Sequence, residues 1–298
     1  MSEQQLYGGI EAGGTKFVCV VGNGPENIVE QTRIDTTVPK ETLAKVIQFF
    51  QPYITTGKVK AIGIGCFGPL DLNPDSPTYG FIVSTPKPHW SNIDVLGIIQ
   101  RELKIKAAID TDVNSAALGE FRWGASQGLD PSIYFTIGTG IGGGYIKDGR
   151  PLTGLLSPEM GHIRIPHDLK RDPFPGGCPF HLDCFEGLAS GPAIEKRFHA
   201  RGETIHDDDP FWEVEADYIA LALCNTILML SPKRIILGGG IMQRIFLFPL
   251  IRRKVLESLN GYVESESLLN KIDEYIVPPG LGNRSGSLGA IALAQLFT

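Results

Sequence analysis

Cysteine is scarce in this chain, with five in 298 residues. That count is too low, and odd, for a disulfide scaffold. An excess of one charge is also lacking. The net charge is −6, from 27 basic and 33 acidic side chains, and their scatter argues against a nucleic-acid-binding face. No apolar run reaches the ~18 residues of a membrane span. The best, Tyr218 to Leu230, is interrupted by Asn225 and Thr226. The start, Met1 to Gln5, has no basic residue and no signal-like apolar stretch. A cytoplasmic protein with neither membrane nor nucleic-acid partner is expected. Hydrophobic residues at 42% and charged residues at 20% exclude disorder and allow one large domain or two ordinary ones.

Glycine, in contrast, is plentiful, with 36 residues, and it is clustered. Leu6 to Glu11 and Lys16 to Val21 are β-type runs around Ala12-Gly13-Gly14-Thr15, which predicts a hairpin. Ile28 to Ile34 extends it. Glu41 to Tyr53 has helical spacing at Leu43, Val46, Ile47 and Phe50. A buried strand, Val59 to Gly65, ends in Cys66-Phe67-Gly68-Pro69, and a Pro-rich loop runs to Trp90. A helix near Ile93 to Leu103, a strand from Ile105 to Ile109 and a helix from Asn114 follow.

The second half starts in the same way. Ser132 to Ile137 and Gly142 to Ile146 flank Gly138-Thr139-Gly140. Two strand–glycine–strand units predict two related α/β halves packed across a cleft. Pro151 to Gly191 reads as loop. Helices are expected near Pro210 to Leu230 and Gln243 to Leu259, with a strand, Arg234 to Leu237, between them. A strand near Tyr275 to Val277 and a helix from Ser285 to Leu296 close the chain.

Four clusters carry chemistry. Gly9 to Lys16 contains Gly13-Gly14-Thr15-Lys16, without the Walker A spacing. Glycines let backbone N–H groups approach an anion, and Thr15 and Lys16 add a hydroxyl and a charge. A plain hairpin turn would use the same residues. The second loop, Thr136 to Gly144, holds more glycine than a hairpin needs. Two such loops in matching contexts favour phosphate binding. Between them, Asp110 to Glu120 marks a strand end and a helix start. Asp112 is a general-base candidate there, and an N-cap role for Asp112 or Asn114 is the plainer alternative. In Cys178-Pro-Phe-His181-Leu-Asp-Cys184, three borderline donors recur every third residue in a Gly- and Pro-rich loop. That spacing suits tetrahedral zinc, with His162 as the fourth ligand and His167 as its competitor. Four protein ligands make such a site structural. Two loop cysteines beside an incidental histidine are the alternative. Cys19, Cys66 and Cys224 lie in apolar runs and read as small buried hydrophobes. Lastly, Gly238-Gly239-Gly240-Ile241-Met242 follows a strand and offers either a nucleotide contact or an ordinary strand-to-helix turn.

In their order and over nearly the whole chain, these segments resemble the ROK family of sugar kinases and repressors, and its fructokinases most of all. The resemblance implies an actin/hexokinase-like (ribonuclease H-like) fold of two α/β domains. It places the first at 1–120, with helix 285–298 packed back on it, and the second at 121–284. It makes Asp112 the catalytic base. It puts Thr111, Glu159, His162, Glu186, Gly68 and Pro69 around the sugar. It puts Gly13, Gly14, Thr15, Lys16, Thr136, Gly138, Thr139, Gly140, Pro192 and Gly238 to Met242 (Gly239, Gly240 and Ile241 included) around ATP. Zinc would be held by His162, Cys178, His181 and Cys184. Glu11 would hold Mg²⁺ through water.

Two departures from the family pattern matter. His181 replaces the usual middle cysteine of the zinc motif, as in the fructokinase branch. Thr111 replaces the usual sugar-binding Asn, which weakens a glucokinase assignment. Thr85 to Trp90 also looks fructokinase-like. The implied activity is ATP-dependent phosphorylation of a hexose, D-fructose to D-fructose 6-phosphate first, by a homodimer. Mannose, glucose and N-acetylmannosamine kinases, and a non-catalytic sugar-responsive regulator, are the alternatives. The family's repressors carry an N-terminal helix-turn-helix, for which no room is expected ahead of Gly9.

Overall fold

The structure, a computed structural model, describes residues 5–298. Met1 to Gln4, most of the segment read above for a signal sequence, lies outside the described residues. Among the described residues, no helix is long and apolar enough to cross a membrane.

In chain order the elements begin with β1 (Leu6–Ala12), β2 (Lys16–Gly24), β3 (Asn27–Asp35), α1 (Pro39–Thr55) and β4 (Val59–Cys66). Next come β5 (Phe81–Ile82), β6 (Ile93–Asp94), α2 (Val95–Leu103), β7 (Lys106–Thr111) and α3 (Asp112–Trp123). The second half opens with β8 (Ser132–Ile137), β9 (Ile141–Lys147) and β10 (Arg150–Pro151). It continues through α4 (Phe185–Ala189), α5 (Gly191–Phe198), α6 (Phe211–Leu230), β11 (Arg234–Gly238) and α7 (Leu247–Leu259). The chain ends with α8 (Glu266–Leu269), α9 (Ile272–Tyr275), β12 (Ile276–Val277) and α10 (Ser285–Leu296).

Two five-stranded sheets result, ordered β3-β2-β1-β4-β7 and β10-β9-β8-β11-β12. Each follows the same plan. Three successive strands lie side by side, and two later strands are added on the far side of the first. In the first sheet, β1 pairs antiparallel with β2 and parallel with β4, and β4 pairs parallel with β7. In the second, β11 is parallel to both β8 and β12.

The chain forms two compact units. One comprises the residues up to Gly128, Gly144–Pro158 and Gly280–Thr298; the other comprises Leu129–Gly143 and Glu159–Pro279. The first unit thus runs past residue 120 and takes back the stretch after Gly143.

Within the first unit, α10 lies against β1, β4 and α3. Glycines make this closeness possible. A β-carbon on Gly63 of β4 would sit 1.9 Å from the Ala290 carbonyl oxygen, and one on Gly289 would sit 1.7 Å from the Ser115 oxygen. Only hydrogen fits at either place. The other face of the sheet is covered by α1 and α2. There Phe17, Phe50, Ile62, Ile64, Trp90 and Ile99 are fully buried. The Trp90 indole N–H donates to the Thr37 carbonyl at 2.8 Å.

Three expectations about elements need correction. The helix expected near Ile93 starts at Val95, because Ile93 and Asp94 pair with β5 and the Asp94 carboxylate caps the helix by accepting from Gly97 N–H at 2.7 Å. The helix expected from Gln243 starts at Leu247. A short 3₁₀ turn, Ile241–Gln243, precedes it, and Arg244, at φ −79° and ψ 86°, breaks the helical path. The stretch read as loop to Gly191 contains α4, and α5 follows at once, capped by the Ser190 hydroxyl with proline in its first turn.

Candidate active site

In the first unit, the Gly13 N–H donates to the Lys16 carbonyl at 3.0 Å, and the Thr36 hydroxyl donates to the Gly13 carbonyl at 2.8 Å. The hairpin turn is therefore held from both sides. Gly14 has open space where a β-carbon would stand, and Thr15 and Lys16 are exposed. The turn leaves backbone and two polar side chains available to an anion.

β7 delivers Asp110, Thr111 and Asp112 to the start of α3. The N-cap is Thr111, whose hydroxyl oxygen accepts from Asn114 N–H at 3.1 Å. It is neither Asp112 nor Asn114, so the Asp112 carboxylate is not consumed as the helix cap. Asp112 is half-buried, and one of its oxygens accepts from Val113 N–H at 2.9 Å. Beneath it, buried Asp110 accepts from Asn114 Nδ2 and from Thr111 N–H, both at 2.7 Å. Burial lifts the Asp110 carboxyl to about 6, against the pull of these two hydrogen bonds. The approach of α3 to β4 depends on Gly65, where a β-carbon would lie 2.5 Å from Ser115 Cβ.

Glu11, at the end of β1, is the second acid of this unit. Burial raises its carboxyl to about 7, and the charge of Asp112 adds to the rise. Lys16, a hydrogen bond from the Ser287 backbone and Arg33 pull the other way. Gly286, in the first turn of α10, makes room for this carboxylate: a β-carbon there would lie 2.6 Å from Glu11 Cδ. Gly68 and Pro69 follow β4, and the Pro69 carbonyl accepts from Val83 N–H at 2.9 Å.

The second unit gathers the four proposed metal ligands. One donor atom each from His162, Cys178, His181 and Cys184 lies within 4.8 Å of the other three, a group able to hold a metal ion. His162 Nδ1 is 3.8 Å from Cys178 Sγ and 3.5 Å from Cys184 Sγ. His181 Nδ1 is 3.7 Å from Cys178 Sγ. A tight turn brings them together, since Cys178 and Leu182 exchange backbone hydrogen bonds at 3.0 and 3.1 Å, with Leu182 at φ 58°. Arg164 braces it through the His181 carbonyl at 2.6 Å and Asp183 at 2.7 Å. His167 is not in the cluster. Its ring is buried, with Nδ1 3.6 Å from Asp183 and Nε2 3.1 Å from the Asp172 carbonyl.

With Nδ1 of His162 facing the thiols, Nε2 faces Glu186 Oε1 at 4.0 Å. The other Glu186 oxygen accepts from Ile141 N–H at 2.9 Å. Glu186 therefore links the metal-ligand loop to the second glycine loop. Partial burial lifts the Glu159 carboxyl above its usual range, with His162 opposing and Glu186 adding to the rise. Glu159, His162 and Glu186 form one polar group.

Among the nucleotide candidates of this unit, Gly138, Thr139, Pro192, Gly240 and Ile241 line a single cavity of about 330 Å³. Gly191 N–H donates to the Gly138 carbonyl at 2.8 Å, joining the start of α5 to the glycine loop. Gly239, at φ +93°, is required by the turn, because a side chain there would meet the Ile137 backbone. Gly238 and Met242 are buried behind the cavity, and Thr136 is half-buried on β8. Residues outside the expected set also line the cavity, among them Glu195, Glu203, Trp212 and Arg244. Nothing in the sequence around them marked them out.

Comparison with known proteins identifies the family and the fold. The profile of the ROK family matches residues 7–296. A fructokinase of Pediococcus pentosaceus is 46% identical over 290 residues, covering 97% of this chain and 98% of that protein. A fructokinase of Lactococcus lactis subsp. cremoris is 44% identical over 294 residues, covering 98% of both. The crystal structure of a ROK family glucokinase from Streptomyces griseus, in complex with glucose and AMPPNP, matches with a TM-score of 0.74 at 23% identity, over 98% of this chain and 99% of that one. The actin/hexokinase-like α/β fold is thus the one present. With the family profile matched from the first strand to the last helix, the chain belongs to the ROK family.

Proposed function

We propose that this protein is a fructokinase that transfers the γ-phosphoryl group of ATP to the 6-hydroxyl of D-fructose. The near-full-length likeness to fructokinases carries the proposal. In the reaction the sugar O6–Pγ bond forms, the bond from Pγ to the β,γ-bridging oxygen breaks, and ADP leaves. Asp112 takes the hydroxyl proton as attack proceeds. It stands in the first turn of α3, where Thr111 and not Asp112 serves as the cap. The Thr111 oxygen accepts from Asn114 N–H, so its hydrogen is left to donate to a sugar oxygen. Glu159, His162 and Glu186 of the second unit would accept or donate at the other sugar hydroxyls, and Gly68 and Pro69 are the first unit's candidates for sugar contact.

Phosphoryl transfer has a loose transition state, so positioning and charge neutralisation dominate. Each unit has a glycine loop that offers backbone N–H groups to phosphate oxygens: Gly13-Gly14, with Thr15 and Lys16, in the first and Gly138-Thr139-Gly140 in the second. The second unit's cavity takes the nucleoside. Bound Mg²⁺ would supply charge neutralisation for the transferred phosphoryl group. Glu11 would hold one of its waters; Lys16 and a hydrogen bond from the Ser287 backbone oppose the rise that burial gives its carboxyl.

Zinc suits the Cys/His cluster. Zn–S of about 2.3 Å and Zn–N of about 2.0–2.1 Å give S···N edges of about 3.5–3.6 Å in a tetrahedron. Three of the S···N distances run from 3.5 to 3.8 Å, and all four donor atoms lie within 4.8 Å of one another. Four protein donors would make the role structural, ordering the loop that leads into Glu186 in the first turn of α4. Family likeness also supports a cytoplasmic homodimer.

The test is a coupled ADP-release assay on fructose, mannose, glucose and N-acetylmannosamine. A kcat/KM lead of about tenfold for fructose, or 1.4 kcal/mol in the transition state, supports the proposal. A lead for another sugar keeps the kinase and removes the fructose assignment.

A further inference from the structure

We propose that the Arg244 guanidinium, held over the Trp212 ring, is the platform on which the nucleobase of the phosphoryl donor stacks. The proposal rests on the nucleotide reading of the second unit's cavity and names the residue that grips the base.

The geometry is as follows. The Arg244 guanidinium carbon lies 4.6 Å from the centroid of the Trp212 ring, and both residues line the cavity. Trp212 is 2% exposed, whereas the Arg244 side chain is 19% exposed. Of the pair, the Arg244 side chain is the more accessible.

Its edges are largely spent. Nη2 donates to the Gly202 carbonyl at 2.7 Å and to the Ile205 carbonyl at 3.3 Å. Nη1 donates to the Asp207 carboxylate, which neutralises the charge. The indole N–H below donates to the His206 carbonyl at 2.9 Å, so the ring beneath is fixed as well. A guanidinium bonded in this way is poorly placed to hold a phosphate. What it still offers is a flat, polarisable face, and the natural partner for that face is another flat ring.

The surroundings give the orientation. The glycine loop, Gly138-Thr139, and the Gly240-Ile241 turn form one part of the lining, with backbone suited to phosphate and ribose. Glu195 and Glu203 contribute carboxylates. These repel phosphate and accept from hydroxyl or amino hydrogens, as a nucleoside provides. The cavity, at about 330 Å³, lies at the small end of ligand pockets, which span about 300–1,000 Å³. Arg244 enters it from the turn that also supplies Gly239 and Gly240.

The experiment measures binding of ADP and of inorganic tripolyphosphate by titration calorimetry. It uses the full chain as wild type, Arg244→Ala, Arg244→Lys and Asp207→Asn, each with a thermal melt. Lysine keeps the charge and loses the flat face. Asp207→Asn keeps the flat face and loses the ion pair. The expected result is ADP binding weakened roughly 5- to 30-fold in both Arg244 variants. Tripolyphosphate should bind all four proteins alike, and Asp207→Asn should bind ADP within about twofold of wild type. In turnover the loss should fall mainly on the KM for ATP, and the preference for ATP over CTP should shrink. Wild-type ADP affinity in Arg244→Lys would overturn the platform, since charge alone would then suffice. A parallel loss of tripolyphosphate binding would overturn it too. If the wild type binds ADP and Arg244→Ala binds it equally well, the platform alone falls. If the wild type binds no ADP, the nucleotide reading falls and the platform with it.

Discussion

Gly65→Ala should damage catalysis far more than a single methyl group suggests. The new β-carbon would stand 2.5 Å from Ser115 Cβ and 2.6 Å from Ser115 Oγ. Carbon atoms settle about 3.5–4.0 Å apart. The first turn of α3 must therefore retreat from β4 by about 1 Å. Rotating Ser115 gives no relief, because its β-carbon is fixed to the helix backbone. The Asp112 Cα lies 3.5 Å from the same point, so the shift reaches the base. Overpacking of this kind costs about 1–3 kcal/mol of stability, and the melting temperature should fall by several degrees. A misplacement of about 1 Å costs on the order of 10²-fold in rate. The assay is kcat for fructose with saturating ATP, beside a thermal melt. Ser115→Gly removes both clashing atoms, so adding it to Gly65→Ala should recover most of kcat. It leaves a helix-propensity cost of about 1 kcal/mol. Gly154→Ala, with open space around it, is the neutral control. Wild-type kcat in Gly65→Ala, or no recovery in the double variant, would refute the reasoning.

Three further outcomes are expected. Removal of metal by a strong chelator should lower the melting temperature and raise the KM for fructose, because the ligand loop leads directly into Glu186 of α4; unchanged melting and kinetics would count against structural zinc. The Asp110 carboxyl is raised to about 6 by burial, so its favourable contribution is complete below the unfolded-state value and is lost as pH rises through about 6. Asp110→Asn keeps the acceptor for Asn114 and Thr111, and chemical denaturation should show it matching wild type near pH 4 and gaining up to about 3 kcal/mol on it by pH 8. Thr111→Asn keeps an N-cap of equal quality, so stability should change by less than about 0.5 kcal/mol while kcat/KM moves from fructose toward glucose in the substrate panel.

Much of this fold is legible in the sequence because its signals are local. The two glycine hairpins, the periodic face of α1 and the apolar run of α6 each reveal themselves within a short window. The metal-ligand loop is legible for the same reason, since three of its donors repeat every third residue. The sequence favours His162 over His167, and the coordinates bring His162 into the cluster and leave His167 outside it. The short helices were lost for a physical reason. α4 and α5 are held by packing and by a Ser190 cap inside a Pro- and Gly-rich stretch, where composition speaks for loop. Gly63, Gly65, Gly286 and Gly289 matter because of backbone that arrives from far along the chain. No local pattern separates them from turn glycines. Arg244 is the extreme case. Its partners are Trp212 and the carbonyls of Gly202 and Ile205, and nothing near it in sequence suggests either.

The most direct test of the central claim is kcat for ATP-dependent phosphorylation of fructose by Asp112→Asn beside wild type. The substitution keeps the shape of the side chain and the acceptor for Val113 N–H, and removes the base. The account expects wild-type turnover and native melting, with kcat of the variant lower by roughly 10²- to 10⁴-fold. Near-wild-type turnover in the folded variant, or no ADP release by wild type with any hexose, would contradict it.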